Sequence, residues 1–128
     1  MTTAYVDASA LVKLIVDEPD ATALRRFLER FDEHATSLIG IVETRRALAR
    51  TSADAVTTDR ILAPIGPIDF DAAIAATAAV LVPARLRTLD AIHLATALAL
   101  YHVDAFVTYD QRLAEAARSI GLAVASPS

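Results

Sequence analysis

Thr3-Ala4-Tyr5-Val6-Asp7-Ala8-Ser9-Ala10-Leu11-Val12-Lys13-Leu14 reads as a strand, an acid and the opening of a helix. Thr, Tyr and Val favour a pleated backbone over Thr3–Val6. Asp7 follows, and the helix runs from Ala8 to Val16 before Asp17-Glu18-Pro19 ends it. A strand that turns directly into a helix is the repeating unit of α/β proteins.

The rest of the chain repeats this alternation. Leu24, Phe27, Leu28 and Phe31 recur at helical spacing within a second helix, Asp20 to Phe31. His34 to Ser37 reads as a strand. Helices over Leu38 to Arg50 and Ala53 to Leu62 follow. Ile65 to Phe70 is a weak strand that Pro67 confines to a sheet edge. Asp71 to Val82 is an Ala-rich helix, and Leu89 to Tyr101 is apolar almost all round, which marks it as buried. Ala105 to Thr108 is a strand, Asp110 to Ile120 a helix with Gly121 as its C-terminal cap, and Leu122 to Ala125 a last strand. The pattern predicts one α/β domain over residues 1–128 with a mainly parallel central sheet.

Ligands in such sheets bind beyond the carboxyl ends of the strands. Asp7 and Asp110 each follow a strand, so both belong to that edge. Asp90 opens the buried helix in Thr88-Leu89-Asp90-Ala91-Ile92-His93, and Glu43 lies inside an apolar one in Gly40-Ile41-Val42-Glu43-Thr44-Arg45. Each acid also has a structural reading. Asp7 and Asp110 suit N-caps, Asp90 complements a helix dipole, and Glu43 is placed to pair with Arg46. Taken together they point to chemistry. Converging carboxylates repel, and some would be pushed toward protonation unless a divalent cation offsets the charge. With only oxygen ligands and no Cys, Mg²⁺ or Mn²⁺ suits them better than zinc. A carboxylate-held ion of this kind supports phosphodiester hydrolysis by water.

Four segments carry a resemblance. They are Val6-Asp7-Ala8-Ser9-Ala10-Leu11-Val12-Lys13-Leu14, Glu43 in the third helix, Leu89-Asp90-Ala91-Ile92-His93-Leu94-Ala95-Thr96-Ala97, and Phe106-Val107-Thr108-Tyr109-Asp110. In this order and spacing the chain resembles PIN-domain proteins of the VapC type, the endoribonuclease toxins of bacterial toxin–antitoxin pairs. The resemblance implies a three-layer fold with sheet order 3-2-1-4-5. It places the family's acids on Asp7, Glu43, Asp90 and Asp110. It further implies an RNA substrate, an antitoxin partner and a homodimer; because an acidic pocket attracts a basic group, the antitoxin is expected to insert an Arg or Lys near Asp7 and Asp90.

Lesser candidates surround these acids. The hydroxyls of Ser9 and Thr108 are placed to orient a ligand, and Arg46 and Arg50 share the Glu43 side of their helix, within reach of RNA phosphates. His93 reads as a buried, hydrogen-bonded histidine rather than a general base. A haloacid-dehalogenase-like phosphatase fits poorly. Such enzymes usually carry a second Asp two residues after the first, where this chain has Ser9, and need a late Lys, whereas Lys13 is the only one. A catalytically silent binding module of the same fold remains the alternative, although none of the four acids is missing.

The chain has 16 acidic and 12 basic residues, a net charge of −4, unlike a general nucleic-acid binder. No Cys excludes disulfides and thiolate zinc sites. Met1 to Asp7 lacks the pattern of a signal peptide, and the longest apolar run, Ala72 to Pro83, is too short to cross a bilayer. The expectation is a cytoplasmic protein without membrane contact.

Overall fold

Parallel strands need a crossover of a dozen or more residues, usually a helix, and short strands separated by helices supply it. The computed structural model describes residues 1–128 and shows this arrangement. In chain order the elements are β1 (Thr3–Val6), α1 (Ala8–Val16), α2 (Ala21–Leu28), β2 (Glu33–Ser37), α3 (Leu38–Leu48) and α4 (Ala55–Leu62). There follow β3 (Gly66–Ile68), α5 (Ala72–Val80), α6 (Thr88–Ala99), β4 (Ala105–Val107), α7 (Gln111–Ser119) and β5 (Val124–Ala125). Every pairing is parallel and the order is β3-β2-β1-β4-β5, as expected. Pro67 sits on the edge strand β3, where its missing N–H costs no ladder bond.

The two faces of the sheet carry separate cores, because successive strand side chains point in opposite directions. Ala4 and Val6 of β1, with Ala105 and Val107 of β4, pack against Leu11 and Leu14 of α1 and Leu24 of α2. Tyr5 and Phe106 point the other way, onto Leu94 of α6 and Leu113 of α7. The Tyr5 and Phe106 rings stack at 5.1 Å. Helix α6 is buried from Ala91 through Ala97, as its all-round apolarity requires.

Most helices are shorter than the sequence pattern, chiefly at their C-terminal ends, and at some N-termini an Asp read as the first helical residue lies just outside as the cap. Asp71 accepts from the Ile74 N–H at 2.8 Å, and Asp110 accepts from Arg112 and Leu113. Helix α2 stops at Leu28, yet Phe31 still packs on the core through the turn that follows. Gly121 does terminate α7. At φ +91° it lets its own N–H reach the Arg118 carbonyl and the Leu122 N–H reach that of Ala117.

Gly40, in the first turns of α3, marks the closest approach of that helix to β2 and α6. A Cβ there would lie 2.7 Å from Thr36 Oγ1 and 3.0 Å from His93 Cε1. Thr36 is fully buried and β-branched, and the His93 ring is bonded at both nitrogens, so neither can yield. Gly40→Ala should therefore lose roughly 1–3 kcal/mol to overpacking, more than the up to ~1 kcal/mol gained by replacing a helical glycine. Denaturant unfolding should show a lower midpoint at unchanged slope; an equal or higher midpoint contradicts the contact.

Candidate active site

Asp7 caps α1 at the carboxyl end of the central strand, with 3% of its surface exposed. A buried carboxylate needs donors, and three converge on it. The Ser9 hydroxyl donates to Oδ1 at 2.7 Å, the Ala10 N–H to Oδ1 at 3.0 Å, and the Thr108 hydroxyl to Oδ2 at 2.6 Å. Both hydroxyls also accept from the backbone. Ser9 Oγ accepts from the Tyr109 N–H at 2.9 Å and Thr108 Oγ1 from the Asp110 N–H at 3.1 Å, which leaves each its own proton to donate to Asp7. Burial raises the Asp7 pKa, and these hydrogen bonds pull it back.

Glu43 is held from the opposite direction. Ser37 N–H donates to the Tyr5 hydroxyl oxygen at 3.1 Å, and Tyr5 donates its own proton to His93 Nδ1 at 2.7 Å. That leaves the His93 proton on Nε2, which donates to Glu43 Oε1 at 2.6 Å. Burial drives the Tyr5 pKa far up, so the phenol keeps its proton. The relay joins β1, β2, α6 and α3, and it replaces the Glu43–Arg46 pair that helical spacing allowed. Tyr5 attracted no attention in the sequence, where it reads only as a strand former.

Asp90, in the first turn of α6, is half-buried and its carboxylate meets no donor. Burial is the main reason its pKa is raised, and the charge of Asp110 comes next; His93 and Arg87 oppose the shift. Asp110 uses Oδ1 as the α7 cap, leaving Oδ2 free. Arg46 and Arg50 are exposed and border the same groove of about 760 Å³ as Ser9 and Glu43. His34, at 2.7 Å from the Leu28 carbonyl, and His102, at 2.7 Å from Asp104, stand elsewhere.

Comparison with known proteins bears on the family and the fold. The PIN domain matches residues 4–119 of the chain. The chain belongs to the PIN-domain family. Over its whole length it is 41% identical to all of ribonuclease VapC46 from Mycobacterium tuberculosis, and over 96% of both chains it is 38% identical to ribonuclease VapC47 of that organism. In fold, this PIN domain is similar to a toxin–antitoxin complex from Klebsiella pneumoniae, with a TM-score of 0.76, 24% identity and 98% of each chain covered. It is also similar to VapBC2 from Rickettsia felis bound to a promoter DNA fragment, with a TM-score of 0.77, 17% identity and 99% and 100% of the two chains covered.

As they stand, the acids of this PIN domain do not enclose an ion, for no three acidic or histidine side chains come close enough to hold one. Their chemistry nonetheless suits one. Both Asp90 oxygens, Asp110 Oδ2 and Glu43 Oε2 accept no hydrogen bond, and Asp7 has used about three of its four acceptor sites. An all-oxygen set of this kind takes hard divalent cations. Mutual repulsion accounts for less than the sequence suggested: for Asp7 burial dominates, and no other acid of the set is among its causes.

The raised Asp90 pKa has a thermodynamic sign. The folded state holds this proton to higher pH than the unfolded state, so wild type loses stability as pH rises through that interval. Asp90→Asn escapes the loss. In EDTA, its stability relative to wild type should increase between about pH 3 and pH 7 by on the order of 0.5 kcal/mol after solvent screening. Thermal melting at both pH values checks this; a relative loss toward pH 7 would show that the favourable helix N-terminus governs Asp90 instead.

Proposed function

We propose that this PIN domain is an endoribonuclease that hydrolyses RNA phosphodiester bonds with the aid of Mg²⁺ or Mn²⁺, as the toxin of a toxin–antitoxin pair. The observation that carries the reading is the buried, triply hydrogen-bonded Asp7 beside acids whose oxygens are free. Full-length relatives named as VapC ribonucleases support it.

Asp7, Glu43, Asp90 and Asp110 would hold the ion. When bound, it supplies charge compensation and Lewis acidity toward phosphoryl oxygens. Ser9 and Thr108 keep Asp7 in one orientation. His93 keeps Glu43 Oε1 occupied, which leaves Oε2 to accept a proton from an attacking water, and Asp90 is a second acceptor for it. A basic side chain from an antitoxin would offset the same charge and so compete with the ion. The chain would pair as a homodimer, a reading helped by the exposed Val80 and Val82 on and just after α5. It would act in the cytoplasm, and no helix is long and apolar enough to cross a membrane.

The test is incubation of purified protein with structured RNA. Cleavage should need Mg²⁺ or Mn²⁺ and stop in EDTA. Asp7→Asn and Glu43→Gln should each cut the rate by more than the ~10–100-fold that loss of an outer partner typically costs. Undiminished cleavage in EDTA, or in both variants, contradicts the proposal.

A further inference from the structure

Beside the acids lies a concave surface to which nothing above gives a role. A cavity of about 530 Å³ opens between the segment preceding α6 and helix α7, with Asp90 on its wall. Arg85, Arg87 and Arg112 also line it. All three are exposed and none enters an ion pair, as is true of every Arg and Lys here except Lys13, Arg25 and Arg45. What sets these three apart is that they line one hollow, on a chain of net charge −4.

The hollow reaches the candidate site through Asp90. The charge of Arg87 is felt by Asp90, and the Arg112 backbone N–H donates to Asp110 Oδ1 at 2.9 Å, so one turn of α7 positions both an acid and a cation. Guanidinium forks match the oxygens of a phosphate and are less strongly hydrated than ammonium groups. The groove on the other flank carries Lys13, Arg46 and Arg50, but Glu18 and Glu43 share its walls with Val12, Ile39, Val42 and Leu89, and Lys13 is already paired with Glu18.

We infer that the Arg85–Arg87–Arg112 cavity is a phosphate-binding subsite that holds the RNA backbone next to the bond to be cut. The inference rests on the RNA-cleaving reading for its substrate. It gives a net-acidic chain a local means of drawing a polyanion to its carboxylates. Glu115 lines the same cavity and works against it, which sets the sign of a further variant.

The experiment is fluorescence anisotropy of a labelled single-stranded oligoribonucleotide of mixed sequence, in EDTA, against the full chain. Joint replacement Arg85→Ala, Arg87→Ala and Arg112→Ala should weaken binding at least about tenfold and reduce the salt slope by about 2, near 0.7 for each phosphate that is no longer neutralised. Glu115→Gln should tighten binding, and Arg25→Ala with Arg45→Ala should change neither quantity. Unchanged affinity and slope in the triple variant, no binding by wild type, or poly-glutamate binding as tight as RNA each overturns the subsite. If wild type cuts RNA while the triple variant binds normally, the subsite fails and the ribonuclease reading stands. If RNA binds through these arginines and is never cut with any metal, the subsite stands and the ribonuclease reading fails.

Discussion

Asp7 is an ionisable group placed where almost no water reaches, and its surroundings must answer for that. A carboxylate buried at the centre of a sheet loses far more hydration energy than packing returns unless its oxygens meet donors. Here the donors come from both sides of one parallel strand pair. Ser9 and Ala10 belong to the helix that Asp7 itself caps, and Thr108 comes from the end of the neighbouring strand. The register that sets Val6 beside Val107 therefore also sets Thr108 beside Asp7. The chain's last residues brace this corner: Ser126 donates to the Thr108 carbonyl and the Tyr109 hydroxyl to that of Pro127.

Around this fixed point the other acids are held with unequal firmness. Glu43 is anchored through His93 to a fully buried tyrosine, and Gly40 is the space that lets this ring approach α3. Asp110 is half committed as a cap. Asp90 is bound by nothing and feels its neighbours' charge. The same gradient has a chemical use: oxygens without hydrogen bonds are the ones available to a cation or a proton, while the bonded ones define where the pocket is. The arginines beside Asp90 extend the pocket toward a polyanion that the acids alone would repel.

Much of this was legible from Thr3-Ala4-Tyr5-Val6-Asp7-Ala8-Ser9 and its later counterpart Phe106-Val107-Thr108-Tyr109-Asp110. Strand and helix periods differ, and an acid at a strand end is conspicuous, so the parallel α/β layers and the carboxyl edge followed from local pattern. The sheet order came from family resemblance, which the structure bears out. Relations across the fold were not legible. Tyr5, His93 and Glu43 meet over separations of 88 and 50 residues, and no local pattern pairs them. Nothing in the residue pattern signalled that burial, rather than like-charge repulsion, dominates at Asp7. Nor did it distinguish the free arginines beside Asp90 from Arg25 and Arg45, because pairing is a property of surfaces brought together by folding.

If Asp7 is the pivot, loosening its clamp without touching any acid should weaken the site. Thr108→Val keeps the shape and β-branching of a fully buried residue and removes the donor to Asp7 Oδ2. Calorimetric titration with Mg²⁺ of this variant, with its fold verified by circular dichroism, is the most direct measurement. The affinity should fall about 10–100-fold below wild type, the usual effect of losing a partner that orients a ligand. Wild-type affinity in a folded Thr108→Val protein would contradict it.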